Sequence, residues 1–380
     1  MKKNLLSLAL AAVVGSAFAN VSVYKSENAN LWVGGYVRYV YTDKEATIKT
    51  KSVKESKTTV DGAVARYRLN FGGDFRVADS TAFGFAARLQ NDFYNDFYSK
   101  EKAYSTNVTT KVHKGNKTQY FYFKYANVYL ANDNFGRLAL GRFSTVADDA
   151  AGSDLEYLDF NTGFDYVFDT DTVKGVRYTT PTFGNFIANY SYSNNTASRK
   201  QDPIVNLNSG ADRSVQNALN GIYSLSTGTT IQGTVAFQKQ RLNGLNVNKA
   251  KGFQLAVAQQ INPSWVVAAA YDYVRVQYKD GTAAENTVNT KKCNTFVVKT
   301  AYTLNQYFQP YAGATFQKIK DVSTDVKAYG AYLGVQSDVY KNEYVNVRLF
   351  GEGVYLHAKE KESKSKLKQL DLAAGLKVSF

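Results

Sequence analysis

The feature that most constrains this chain is a two-residue period that restarts again and again along its length. "LKQLDLAAGLKVSF" at 367–380 alternates Leu370, Leu372, Ala374, Leu376, Val378 and Phe380 with Gln369, Asp371, Ala373, Gly375, Lys377 and Ser379. Successive side chains on a β-strand point to opposite faces, so this segment has one apolar face and one polar or small face. "LWVGGYVRYVYT" (31–42) sets Leu31, Val33, Val37, Tyr39 and Tyr41 against Trp32, Tyr36 and Arg38. "ARYRLNFGGDF" (65–75) opposes Tyr67, Leu69, Phe71 and Phe75 to Arg66, Arg68 and Asn70, and "TAFGFAARLQ" (81–90) opposes Phe83, Phe85, Ala87 and Leu89 to Gly84, Ala86, Arg88 and Gln90. Further segments fall at 119–130, 137–142, 173–180, 184–193, 217–225, 229–240, 251–260, 264–276, 293–303, 308–319, 327–337 and 343–356. That makes about 16 two-sided strands, mostly of the ~10-residue length that crosses a bilayer.

Connections between the segments alternate in length. "ADS" (78–80), "ANDNFG" (131–136), "PTFG" (181–184), "STG" (226–228), "NPS" (262–264), "TLNQY" (303–307) and "DVYKN" (338–342) are short. Between them lie long Lys-, Ser-, Thr- and Asn-rich stretches near 43–62, 92–118, 143–172, 194–215, 241–250, 277–292 and 357–366. Short turns at one end and long loops at the other are the habit of outer-membrane barrels. A soluble sandwich also alternates, but an open sheet this wide would leave unpaired edges, whereas a closed barrel in lipid satisfies every backbone group. The expectation is an all-β chain folded as a 16-stranded antiparallel transmembrane β-barrel, a single domain over 20–380.

The two ends and the composition fit export. Met1-Lys2-Lys3, the apolar stretch "LLSLALAAVVGSAFA" and the small-residue site Ala17-Phe18-Ala19 read as a secretory signal peptide over 1–19, removed through the Sec route so that the mature chain begins at Asn20. The formal charge of +14 then loses the two positive charges of Lys2 and Lys3, leaving +12. No window reaches the ~18 continuous apolar residues of a membrane helix. A mean hydropathy of −0.35 is compatible with a barrel, whose lumen face is polar. The one cysteine, Cys293, cannot form an intramolecular disulfide and reads as a small strand residue.

Five pieces in order resemble the Gram-negative general porins, most closely the Pasteurellaceae outer-membrane porins (the P2-like group). They are "LWVGGYVRY", "YRLNFGGDF", "FKYANVYLANDNFGRLALGRFSTVADD", "GVRYTTPTFGNFIANYSYS" and the closing "GLKVSF". The resemblance implies a homotrimer of barrels through which small hydrophilic solutes and ions diffuse passively. It implies that Phe380 serves as part of the signal read by the barrel assembly machinery. It also implies that the third long loop folds into the barrel to make an eyelet facing a cationic wall.

That loop, 142–172, is the most acidic stretch of a basic chain, with Asp148, Asp149, Asp154, Glu156, Asp159, Asp165, Asp169 and Asp171. Alternation independently puts Arg38, Arg66, Arg68 and Arg88 on the face opposite the apolar residues. By resemblance Arg68, Lys124 and Arg177 match the family's wall cations, and Asp159 its acidic eyelet residue. The loop lacks the Pro-Glu-Phe-Gly-Gly run of enterobacterial relatives, which leaves open which acids reach the eyelet. Opposed charged arcs would set a transverse field across the pore, and the positive balance points to mild anion preference. Some of these arginines could instead pair with neighbouring acids or bind lipopolysaccharide phosphates.

Other classes find less support. The chain has only His113 and His357, both in expected loops, so a His-based catalytic grouping or a metal-ligand spacing is not seen, and no cofactor is implied. The pI near 9.4 suggests nucleic acid, but the cations are spread along strands or interleaved with Glu as in "KEKESKSKLK". An adhesin or a substrate-specific channel remains the alternative to a diffusion pore.

Overall fold

The computed structural model describes residues 21–50, 56–94, 97–103, 106–113, 121–148, 167–196, 213–242, 245–279, 288–322 and 324–380. The strands are β1 (Val21–Lys25), β2 (Ala29–Lys49), β3 (Ser56–Ala78), β4 (Thr81–Tyr94), β5 (Phe97–Ala103), β6 (Thr106–His113), β7 (Tyr122–Asn132) and β8 (Gly136–Arg142). They continue as β9 (Gly175–Thr179), β10 (Phe186–Thr196), β11 (Arg213–Ser224), β12 (Thr229–Leu242), β13 (Leu245–Asn262) and β14 (Trp265–Lys279). The last five are β15 (Val288–Tyr302), β16 (Gln309–Lys320), β17 (Asp325–Lys341), β18 (Asn346–Glu360) and β19 (Lys366–Ser379). β2 to β4 and β7 to β19 pair antiparallel in chain order and close into a 16-stranded barrel.

Each of the sixteen expected segments overlaps one barrel strand, but several strands run longer than the periodicity showed. The stretch 43–62 is largely paired, from Asp43↔Asp61 up to Ile48↔Ser56. β5 continues alongside β3 and β6 folds back on it, so part of the second long loop is a hairpin. Strand also covers most of 241–250 and half of 357–366. His357 is therefore a β18 residue paired with Lys368 and not the loop residue expected, whereas His113 ends β6 within the second long loop. At these upper ends both faces are polar, and the period-2 signal vanishes while the backbone ladder continues.

Closure joins β19 to β2, the first strand of the barrel. The Gly35 N–H donates to the Phe380 carbonyl at 2.7 Å, and the Phe380 N–H donates back to the Gly35 carbonyl at 3.0 Å. A Cβ at Gly35 would run into the Arg68 carbonyl, with the Phe380 ring 3.2 Å away. Gly35 is thus a seam glycine, occupied by the end of the chain.

Four of the short turns share one device. Asn132, Asn262, Asn305 and Asn342 each accept, through Oδ1, a backbone N–H two residues on, at 2.9 Å in each case. This is the Asx-turn that favours Asn at such positions. Gly136 completes the first of them with φ +83°, where a side chain would also strike the Thr179 carbonyl.

Burial follows the alternation. Outward Leu333, Phe237 and Leu219 are 66%, 58% and 50% exposed, while inward Gln216, Thr234 and Gln238 are buried. An apolar exterior around a polar interior is the pattern of a chain solvated by lipid outside and water inside.

Candidate functional site: the lumen wall and the stem of the third loop

Consecutive inward positions on β19, β2, β3 and β4 bring the cations together. Lys377 pairs with Arg38, and Arg38 with Arg66. One step along, Tyr36 pairs with Arg68 and Arg68 with Gln90. The Arg68 guanidinium lies over the Tyr36 ring at 4.8 Å and donates to Gln90 Oε1 from Nε and Nη2 at 3.1 and 2.9 Å. Lys377 Nζ approaches the same ring at 5.0 Å. Arg88 donates to Asn70 Oδ1 at 2.7 Å and stacks on Tyr125 at 4.5 Å. Aromatic faces and amide oxygens hold these side chains against the wall.

Lys124 reaches the same wall by a different route. The register of β7 against β4 slips between Arg88↔Tyr125 and Leu89↔Phe123, leaving Lys124 as the extra residue of a β-bulge. Bulges re-aim side chains. Lys124 Nζ thereby comes 3.8 Å from Asp171 and 5.5 Å from the Tyr125 ring centre. Arg177, inward on β9, donates from Nη1 to the Ser144 carbonyl at 3.1 Å.

Ser144 and Asp171 belong to the two legs of the third long loop. The legs bridge at Ser144↔Asp171, with the Thr172 N–H donating to the Phe143 carbonyl at 2.9 Å and the Thr145 N–H to the Thr170 carbonyl at 2.8 Å. They are clasped by inward amides of the barrel. The Asp169 N–H donates to Gln216 Oε1 (2.7 Å) and to Gln238 Oε1 (2.9 Å). Gln216 Nε2 donates back to the Asp169 carbonyl at 3.0 Å, and Asn195 Nδ2 donates to the Asp169 carboxylate at 2.9 Å. Beneath the clasp Val146, Ala147, Val167 and Phe168 pack on Ala218, Ala236, Ala250, Val274, Val276 and Cys293. Gly252 leaves the room that the Phe168 ring fills.

The sequence reading had not singled out this docking surface. Its signal is a run of inward Ala and Gln on β11 to β13, where an open lumen would favour charge. Lys377, on the polar face of the closing strand, is likewise not among the candidates, whereas Asp169 and Asp171 are among the loop's acids. Of the candidate loop acids, Asp148 lies on the first leg and hydrogen-bonds with the Ser144 hydroxyl. Asp149, Asp154, Glu156, Asp159 and Asp165 lie outside the described residues, as does the signal segment.

A sequence-family model described as Gram-negative porin matches residues 7–348. The chain belongs to the Gram-negative porins. Solved structures agree with the fold of this porin at low identity. OmpT of Vibrio cholerae, in vitro folded and in trimer form, has 14% identity and a TM-score of 0.60, covering 92% of this chain and 100% of its own. The anion-selective porin of Comamonas acidovorans has 16% identity and a TM-score of 0.57, covering 93% and 100%. Salmonella typhi OmpF, in complex with daunomycin, has 14% identity and a TM-score of 0.56, covering 95% and 100%. The porin is thus an outer-membrane channel for solute diffusion.

Proposed function

We propose that this porin forms a water-filled channel for passive diffusion of ions and small hydrophilic solutes, narrowed by its acidic third loop opposite a cationic wall, with mild anion preference. The observation that carries the reading is the inward row Lys377–Arg38–Arg66, flanked by Arg68 and Arg88. The third-loop legs are docked on the other side, on β10 to β15. Solutes pass between the two. Guanidinium groups remain charged at any working pH, so the field across this gap persists. A channel, with transport set by calibre and charge, accounts for these features without catalysis.

The assembly reading follows the family. Homotrimer formation is supported by the trimer form of the Vibrio cholerae structure, and Phe380 at the seam acts as part of the signal for the barrel assembly machinery. Contact with lipopolysaccharide is supported by a second set of cations on the outside. Lys318, Lys327, Lys359 and Lys366 are directly paired across four strands at the rim opposite the short turns, as are Lys251, Arg275 and Lys292. Like charges placed directly opposite one another repel, and outer-leaflet phosphates relieve that repulsion.

Liposome swelling tests the transport reading. Vesicles carrying the purified protein should admit neutral, anionic and cationic solutes of matched small size, the anions fastest. Swelling by one sugar alone would replace the diffusion pore with a substrate-specific channel, and no swelling would favour an adhesin.

A further inference from the structure

Among the described residues, five lumen-facing aromatic side chains stand directly across a strand pair from a glycine. Trp32 pairs with Gly72, Tyr129 with Gly84, Tyr311 with Gly334, Tyr332 with Gly313 and Phe350 with Gly375. In each case a Cβ built on the glycine would collide with the facing ring, so the ring lies down over the bare backbone. Their inward placement follows from alternation: Tyr332 is 8% exposed beside Leu333 at 66%, and Phe350 is 6% exposed beside Leu349 at 47%. Tyr311 is fixed further by donating its hydroxyl to Glu352 at 2.6 Å, and Tyr311 and Tyr332 pack together at 6.4 Å.

The five pairs fall on β16, β17, β18, β19, β2, β3, β4 and β7, which are consecutive around the barrel. These strands include those that carry most of the cation wall. The legs of the third loop occupy the other side of the lumen. The aqueous passage therefore runs between the wall that holds the legs of the third loop and the wall that carries these rings. A ring standing upright there would intrude on the passage, whereas one lying on a glycine does not. Glycine opposite an aromatic also lets the ring cover exposed backbone, which favours the flat arrangement.

We infer that these cross-strand glycines recess the aromatic rings into the lumen wall and so set the calibre of the passage. The inference rests on the channel reading above.

Gly313 and Gly334 give the cleanest test, because the nearest atoms to an added Cβ are ring atoms only, of Tyr332 and Tyr311 respectively. At Gly72, Gly84 and Gly375 a carbonyl is also struck, and the backbone itself would shift. In planar bilayers Gly313→Ala and Gly334→Ala should each lower single-channel conductance by about 1.2- to 2-fold, the effect of one ring entering a narrow conducting section. Adding Tyr332→Ala to Gly313→Ala should return conductance to the wild-type level or above. Tyr332→Ala alone should leave it near wild type, since a recessed ring obstructs little, and this variant serves if the alanine variants do not fold. Gly233→Ala, with open space around the added methyl, should conduct as wild type. Wild-type conductance in both Gly313→Ala and Gly334→Ala, or a clear rise in Tyr332→Ala alone, would overturn the inference. A wild-type protein that conducts no current would instead overturn the channel reading on which it rests.

Discussion

Phe168→Ala should release the third loop while leaving the barrel closed. Phe168 is 1% exposed and packs with Val167, Val146 and Ala147 on the small residues of β11 to β13 and on Val274 and Val276. Truncating a buried Phe to Ala costs about 3–5 kcal/mol. The residue lies in a loop and contributes nothing to the strand ladder, so the loss falls on docking of the legs. At about 1.4 kcal/mol per tenfold, the undocked population rises roughly a hundred- to a few-thousand-fold. The Gln216 and Gln238 contacts to Asp169 remain and oppose complete release. In single-channel recordings the variant should flicker between the wild-type level and a larger one. On gels it should keep the compact, heat-modifiable mobility of a folded barrel, and protease should cut within the loop. A steady wild-type conductance would refute the docking argument, and loss of the folded band would show that Phe168 holds the barrel itself.

Two further outcomes follow from the same geometry. Desolvation, with the nearby Asp171 charge, raises the Asp169 carboxyl above its ordinary 3.8, and hydrogen bonds with Ser214, Asn195 and Gln238 offset part of the rise. Protonation is thus favoured in the docked state, and its stabilisation is fully present below 3.8 and lost as pH rises through the raised value. Protease resistance of the loop should increase on acidification, and Asp169→Asn should abolish that dependence while holding the loop as the wild type does at low pH. For the outer lysines, the triple change Lys318→Gln/Lys327→Gln/Lys359→Gln removes directly opposed like charges worth roughly 0.2–1 kcal/mol per pair. The variant should melt higher than wild type in neutral detergent and lower in lipopolysaccharide-containing bilayers, and the same ranking in both media would exclude a phosphate contact.

Most of the fold was legible because lipid outside and water inside write an alternating pattern onto each strand. The pattern failed where that contrast fails. At the upper ends of β2 and β3 water wets both faces, so strand reads as loop. At Lys124 the apolar phase shifts from Phe121 and Phe123 to Ala126, Val128 and Leu130, a recoverable sign of the bulge. The docking wall of the third loop was hidden for a different reason. Ala218, Ala236, Ala250 and Gln216 are unremarkable on their own strands and gain meaning only when the loop, distant in sequence, is laid on them. Gly35 shows the same limit, because its neighbour Phe380 lies at the other end of the chain.

The measurement that tests the account most directly is the zero-current potential across a planar bilayer under a tenfold KCl gradient, wild type against Arg68→Ala/Lys377→Ala. Both side chains face the lumen and stack on Tyr36, so their loss removes two positive charges from one place on the wall. The account predicts an anion-selective potential in the wild type that moves toward zero or reverses in the variant, with the channel still conducting. Stepwise conductance with the same potential in both proteins would contradict it, because the wall cations would then have no hold on the ions that pass.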